Sequence, residues 1–453
     1  MKDATVLMMS YYREDTRTLL SVAAELRRTT TLRPLFLIAC TGPLYEDAAS
    51  AVRAAGFDLF EELPHEHMAA GRGVRNPFRR AEIVRRANLD LAARILQRTG
   101  AAAIVCTIDA ARGWFVEGAR RMRIPSLYVQ WAEMDSLEFI RAWWRAEARW
   151  SDIPHGPVTR LRRRLRRKIN EAAGLGQRWP FFIPVTRLAV AGPFYREMCI
   201  RAGVPAERIE VTGNAQCDAM YRCANLGAAE ICEIKRSLGF ADSTEYVLYA
   251  LNDTKRLVHL DQASADEAER TILTAMRAAN PASVRVVKLH PKQGEEDRAR
   301  IRAIDENAIV LGEGTDVGEL VAAASAVVST VSSVLLWAVA IDRPAISAYL
   351  WKGAEEMRTV RWWSGVEHAD SFDALVKSLE NNARNSEHIA TWRARRRECR
   401  DLFLRMDGRG VSRIVESLGT LLSELGPAAA SGEDQGMEPV STPRFGASPE
   451  GKA

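Results

Sequence analysis

Four short runs carry residue types able to do chemistry, and each follows a stretch that reads as a buried strand. In the run Val287-Lys288-Leu289-His290-Pro291-Lys292, a strand ends on a histidine followed at once by proline. Proline lacks an N–H and fixes its own φ, so the strand stops and the imidazole stays at the sheet's carboxyl edge beside Lys292. A histidine there can donate to a phosphate or steer a leaving group; a histidine that merely ends a strand is the plainer alternative. Ser329-Thr330-Val331-Ser332-Ser333-Val334 comes next, with one strand and one helix between it and His290. Hydroxyls and free N–H groups at a helix start can hold an anion without a charged side chain. Ordinary N-capping by Ser332 or Ser333 accounts for the same residues.

The two remaining runs are less specific. Ile209-Glu210-Val211-Thr212-Gly213-Asn214, with Asp218 after it, ends in a turn that lets backbone approach a ligand or a neighbouring domain closely. Asn252-Asp253-Thr254-Lys255-Arg256 puts Thr254 and Lys255 where a phosphate or acceptor could sit, and a solvated loop would look the same.

The elements that must position these runs are strands alternating with helices. Apolar runs predict strands at 5–10, 35–39, 103–107, 126–130, 188–191 and 208–212, then at 246–251, 284–289, 308–311, 326–329 and 344–348. Helical periodicity appears at 16–28, 79–97, 229–238, 265–279 and 317–324. Strand–helix–strand alternation implies parallel sheets with helices on both faces, which expose functional loops at the strands' carboxyl ends. The fold class is therefore α/β, with two Rossmann-type doubly wound parallel sheets meeting near residues 215–228. The expected domains are 1–222, 223–395 and a pair of helices at 396–426, with a disordered tail at 427–453.

Composition narrows the function classes. With 453 residues, 47% apolar and 27% charged, the chain can build two or three packed domains, which excludes general disorder. Seven scattered cysteines without a Cys-x-x-Cys pair read as reduced thiols rather than a disulfide or metal framework. Met1 leads almost directly into an apolar strand, so no export signal is expected. Residues 320–341 hold no charge over 22 positions, long enough to span a bilayer, but five hydroxyls in the middle argue for strand, polar turn and buried helix.

Charge is concentrated in one place. Residues 141–180 carry eleven basic and three acidic side chains, a local +8 in a chain of net +5. Val158, Leu161, Leu165 and Ile169 form one helical stripe, and Arg162, Arg163, Arg166 and Arg167 lie among the cations around it. Trp143 and Trp144 precede the stripe, giving the pattern that an anionic bilayer surface attracts. Nucleic-acid phosphates would attract the same cations, but no nucleic-acid motif accompanies them, so the membrane is preferred. A solvated helix remains the bland alternative.

Taken together, these residues resemble the GT-B glycosyltransferases of the group that includes bacterial capsule polysaccharide transferases, sialyl- and Kdo-transferases and glycerophosphotransferases. The resemblance rests on Val211-Thr212-Gly213-Asn214 with Asp218, Lys288-Leu289-His290-Pro291, Asp316 with Glu319-Leu320, Ser332-Ser333 with Arg343-Pro344-Ala345-Ile346, and Asp407-Gly408 with Ser412-Arg413-Ile414. It covers residues 186–420 well and 1–140 only in architecture. It implies two domains facing a cleft, with a nucleotide-sugar donor (CMP-, CDP- or UDP-linked) in the second and a glycan or lipid-linked acceptor at the first. His290, Ser332 and Ser333 would face the donor phosphates, with Gly213, Asn214, Thr254, Lys255, Pro291 and Lys292 around them. The last helices would cross back to the first domain. The implied location is the cytoplasmic, inner face of the membrane.

Two departures qualify the resemblance. Relatives that use UDP-sugars often place a ribose-holding carboxylate after the Ser pair, where this chain has Trp337-Ala338. Relatives also often carry Gln-His-Gly where this chain reads Gln130-Trp131-Ala132-Glu133. A base must then come from elsewhere, and Asp109 and Glu133 are the candidates, ahead of Glu14 and Asp15, which capping of the first helix explains. His65 and His67 are the fallback. No metal set and no cofactor is expected, and inversion by direct displacement is favoured. UDP-GlcNAc 2-epimerases share the fold, but their Asp-Ser-Gly-Gly is replaced here by Thr330-Val331-Ser332-Ser333. A non-catalytic adaptor on a degenerate transferase fold is the alternative from another class.

Overall fold

The computed structural model describes residues 4–11, 13–39, 42–61, 76–107, 113–130, 185–201, 204–252, 262–290, 293–312, 314–330, 332–350 and 363–424. Thr5–Ser10 (β1) is buried from residue 6 onward without alternation, as expected of a strand covered by helices on both faces. It pairs in parallel with Arg33–Ile38 (β2) and Ala101–Cys106 (β4). Asp58–Leu59 (β3), Ser126–Val129 (β5), Arg187–Val190 (β6) and Ile209–Val211 (β7) complete a sheet in the order β3-β2-β1-β4-β5-β6-β7. A second parallel sheet comprises Tyr246–Ala250 (β8), Val284–Lys288 (β9), Ile309–Leu311 (β10), Ala326–Ser329 (β11), Ala345–Ala348 (β12) and Glu367–Ala369 (β13). Its order is β10-β9-β8-β11-β12-β13.

Parallel neighbours need crossover connections, and helices supply them. Those around the first sheet are Arg13–Thr29 (α1), Pro43–Ala54 (α2), Pro77–Thr99 (α3), Gly113–Arg121 (α4) and Pro193–Arg201 (α5). Helix α1 buries Leu19, Val22, Ala23 and Leu26 along one face. It also carries acids in its first turn and Arg27 and Arg28 in its last, matching the helix dipole. Ala215–Ala224 (α6) and Ala228–Ser237 (α7) join the sheets. Gln262–Ala279 (α8), Glu295–Ile304 (α9), Val317–Ala323 (α10), Val334–Ala340 (α11) and Phe372–Arg384 (α12) serve the second sheet, before Ser386–Phe403 (α13) and Gly410–Glu424 (α14).

All eleven strands expected from sequence are present, with ends displaced by at most two residues. The charge-free stretch 320–341 divides into the end of α10, then β11, a turn and α11. Among the described residues, no helix is long and apolar enough to cross a membrane.

The chain returns to the first sheet through α13 and α14. Helix α13 packs on α11 and α5, whereas α14 packs on α1, α6 and β6. Ile414, Leu418 and Leu421 of α14 join Val6, Leu19 and Val22 in one core. The crossing between these helices is tightly specified. A Cβ on Gly192 would lie 2.2 Å from Phe403 O, so only glycine fits beneath the end of α13. Arg405 N donates to Ala191 O at 2.7 Å, and Arg405 Nη1 to Val211 O at 2.7 Å. Gly213 has φ +76°, and a Cβ there would sit 2.6 Å from Arg405 O. Asp218 then takes the Gly410 and Val411 N–H groups at 2.7 and 2.8 Å, capping α14 from another helix.

That carboxylate satisfies two otherwise orphaned donors at a helix start. Asp218→Ala is expected to destabilise the protein by about 1–2 kcal/mol, lowering the thermal midpoint by a few degrees. An unchanged midpoint would show that α14 docks without this cap.

Candidate functional site

Each sheet winds outward from a central pair of strands, β1 with β4 and β8 with β11. Connections from such a pair leave to opposite faces, so the carboxyl ends open into the crevice where open α/β sheets bind ligands. In the second sheet, Lys288, Ala250 and Ser329 stand level across β9, β8 and β11. Just beyond them, these strands deliver His290, Asn252 and Thr330 to one edge, and Ser332 and Ser333 follow before α11.

Side chains finish the backbone at this edge. Ser329 Oγ donates to Ala250 O and Ser347 Oγ to Thr330 O, both at 2.6 Å. Asn252 Nδ2 donates to Thr330 Oγ1 at 2.8 Å, with both residues buried. His290 sits in a closed turn: its N–H donates to Gln293 Oε1 at 2.7 Å, and its carbonyl accepts from Gln293 N at 2.8 Å. His290 as a whole is half-buried. Ser332 Oγ accepts from Val334 N at 3.2 Å, the capping role open to either serine, while Ser333 is exposed and makes no cap. Trp337 is buried in the core, and so leaves the ribose route without a carboxylate at that position.

The first sheet carries a matching arrangement. Met9 and Cys106 stand level across β1 and β4. Asp15, 1% exposed, accepts from Tyr11 N at 2.9 Å and from Thr107 Oγ1 at 2.8 Å. The bond from Tyr11 agrees with a helix-start role, whereas the bond from Thr107 ties α1 to the end of β4. Thr16 Oγ1 donates to Ser10 Oγ at 2.8 Å beside it. Burial pushes the Cys106 thiol up to about 12, which disfavours its thiolate. Glu14 is exposed.

Several expected site residues lie outside the described residues: Asp109, Glu133, Thr254, Lys255, Pro291, Lys292, His65 and His67, and the membrane-surface set Trp143, Trp144, Arg162, Arg163, Arg166 and Arg167. Gly213 and Asn214 are not at the second sheet's edge; they belong to the junction with the last helices. Asn214 is 3% exposed and spends its amide on Gln130 O (3.0 Å) and Cys217 N (2.8 Å). Gln130 in turn accepts from Ala191 N at 2.8 Å. These contacts give Gly213 and Asn214 structural work at that place. Sequence reasoning missed the pairs Asp15–Thr107 and Asn252–Thr330, although a threonine directly after β4 and directly after β11 was a readable signal. Among the described residues, no three His, Cys, Asp or Glu side chains gather as a metal set.

No family model matches the chain, and no curated protein matches it. Solved structures do. The UDP-GlcNAc 2-epimerase from Neisseria meningitidis, bound to UDP-GlcNAc, superposes with a TM-score of 0.56 at 12% identity, covering 92% of this chain and 100% of that one. A glycosyltransferase from Rickettsia africae gives 0.53 at 10% identity, covering 94% and 99%. An Anabaena protein in complex with UDP and glucose gives 0.52 at 13% identity, covering 93% and 100%. Such identities speak for the fold alone. The fold is GT-B: two parallel-sheet α/β domains, of seven and six strands.

Proposed function

We propose that the chain is a glycosyltransferase that moves a sugar from a nucleotide-activated donor to a cell-surface glycan or lipid-linked acceptor. The observation that carries this reading is the convergence of His290, Asn252, Thr330, Ser332 and Ser333 at the central crevice of the second sheet. Structures of the same fold hold UDP or UDP-GlcNAc, which supports a nucleotide-sugar ligand here. In this reading the donor (CMP-, CDP- or UDP-linked) presents its phosphates to that edge. His290 donates to them and stabilises the departing nucleotide, and the hydroxyls add neutral donors. No metal takes part.

The acceptor enters from the first sheet's edge, Asp109 or Glu133 removes its proton, and the new bond forms with inversion as the nucleotide leaves. The capsule, sialyl- and Kdo-transferase group is the nearest functional class, on the His-Pro and Ser-Ser motifs. A UDP-GlcNAc 2-epimerase-like activity is the second reading. It is favoured by solved structures of that enzyme having this fold and opposed by Thr330-Val331-Ser332-Ser333 in place of the epimerase motif.

The basic segment 141–180 supports peripheral attachment at the cytoplasmic face of the membrane on its charge and tryptophans. Replacing Arg162, Arg163, Arg166 and Arg167 with Gln should abolish sedimentation with anionic liposomes, since each cation contributes roughly 1 kcal/mol. Binding to RNA at physiological salt, with liposomes ignored, would transfer the segment to nucleic acid.

A thermal-shift panel of CMP-, CDP-, UDP- and GDP-sugars tests the donor. The right one raises the unfolding midpoint, because a ligand at a hundredfold its Kd adds about 2.7 kcal/mol. His290→Ala should weaken its binding or turnover by at least about tenfold. No shift from any of them would favour an adaptor on a degenerate fold, and conversion of UDP-GlcNAc without an acceptor would favour the epimerase.

A further inference from the structure

Three buried hydroxyls lie toward the carboxyl ends of β11 and β12, and they are not used alike. Ser329 and Ser347 each donate their proton to a carbonyl of the neighbouring strand. Thr330 does not, because its oxygen accepts from Asn252 Nδ2 at 2.8 Å. A hydroxyl has a single proton. With an amide N–H already on the oxygen, that proton must point away from Asn252. Among the described residues nothing takes it: Thr330 enters two hydrogen bonds, one through Oγ1 and one through its carbonyl, and it accepts in both.

An unpaired donor on a residue only 3% exposed is costly unless something else completes it. Its place says what that partner is. Thr330 follows β11 directly, at the crevice between β8 and β11, and Ser332 lies two residues on. An acceptor-rich group arriving at that crevice would take the proton, whereas a second buried donor would not.

We infer that Thr330 is a ligand of the donor phosphates, its Oγ1–H turned toward them by the amide of Asn252. This rests on the nucleotide-donor reading above and gives two residues of that edge distinct roles: Thr330 contacts the ligand, and Asn252 is a positioning residue that acts through Thr330.

The test is calorimetric titration of the full chain with CMP, CDP, UDP and GDP, then of variants with the nucleotide that binds. Thr330→Val keeps the shape and removes the proton, and should weaken binding roughly ten- to a hundredfold. Thr330→Ser restores the proton and should bind within about threefold of the native protein. If the valine variant does not fold, Thr330→Ala serves instead. Asn252→Asp can only accept, so it pulls the hydroxyl proton away from the ligand. Its new charge also repels phosphate, and the double variant with Thr330→Val separates the two effects. If Asn252 acts through Thr330, Asn252→Asp costs less affinity in the valine background than in the native one. Equal costs in both backgrounds would overturn the orienting role. Native affinity in a folded Thr330→Val or Thr330→Ala variant would overturn the inference while leaving the donor reading intact. A native protein that binds none of the nucleotides would overturn the donor reading itself.

Discussion

A parallel sheet whose winding reverses leaves two adjacent strands ending side by side, with their last backbone groups uncovered by further pairing. Both sheets meet that constraint with short polar side chains placed one residue beyond a buried strand. Thr107 follows β4 and bonds to Asp15; Thr330 follows β11 and bonds to Asn252. The polarity differs. In the first sheet the threonine donates to a buried carboxylate, which closes the edge and fastens α1 to β4. In the second sheet the threonine accepts from Asn252. The first edge is closed by a buried carboxylate, whereas the second is finished by neutral groups alone.

The second constraint is the return of the chain to its first sheet. Helix α14 docks on α1 and β6 with its apolar face, and Asp218 holds its start. Arg405 and Arg413 reach the carbonyls of Val211 and Thr212 at the end of β7. The Val211-Thr212-Gly213-Asn214 run and the Asp407-Gly408 run therefore work on each other, as the two sides of one junction.

Legibility followed burial. Strands such as β1 and β8 were visible because both faces are covered, which makes them continuous apolar runs. β3 and β13 were not: β3 has only two residues, and the three of β13, Glu367-His368-Ala369, form no apolar run. β13 also begins with Glu367, a buried carboxylate held by Ser378, Asn382 and His388 from the two following helices. In sequence it reads as a charged surface position. His290 and the Ser pair were legible because proline and a helix start punctuate them locally. The tie from Asp15 to Thr107 spans 92 residues, and the Asn252–Thr330 pair spans 78; no local pattern joins them. Gly213-Asn214 was legible as a special turn, but its partner could have been either a ligand or protein until the last helices were placed.

The central claim is that the donor's phosphates lie at the carboxyl ends of β8, β9 and β11. A crystal structure of the full chain soaked with the nucleotide that stabilises it measures this directly. The account predicts phosphate oxygens at about 3 Å from the His290 imidazole, Thr330 Oγ1 and the Ser332–Ser333 turn. Phosphates at the first sheet's edge near Asp15 and Thr107, or at the amino ends of the second sheet, would contradict it.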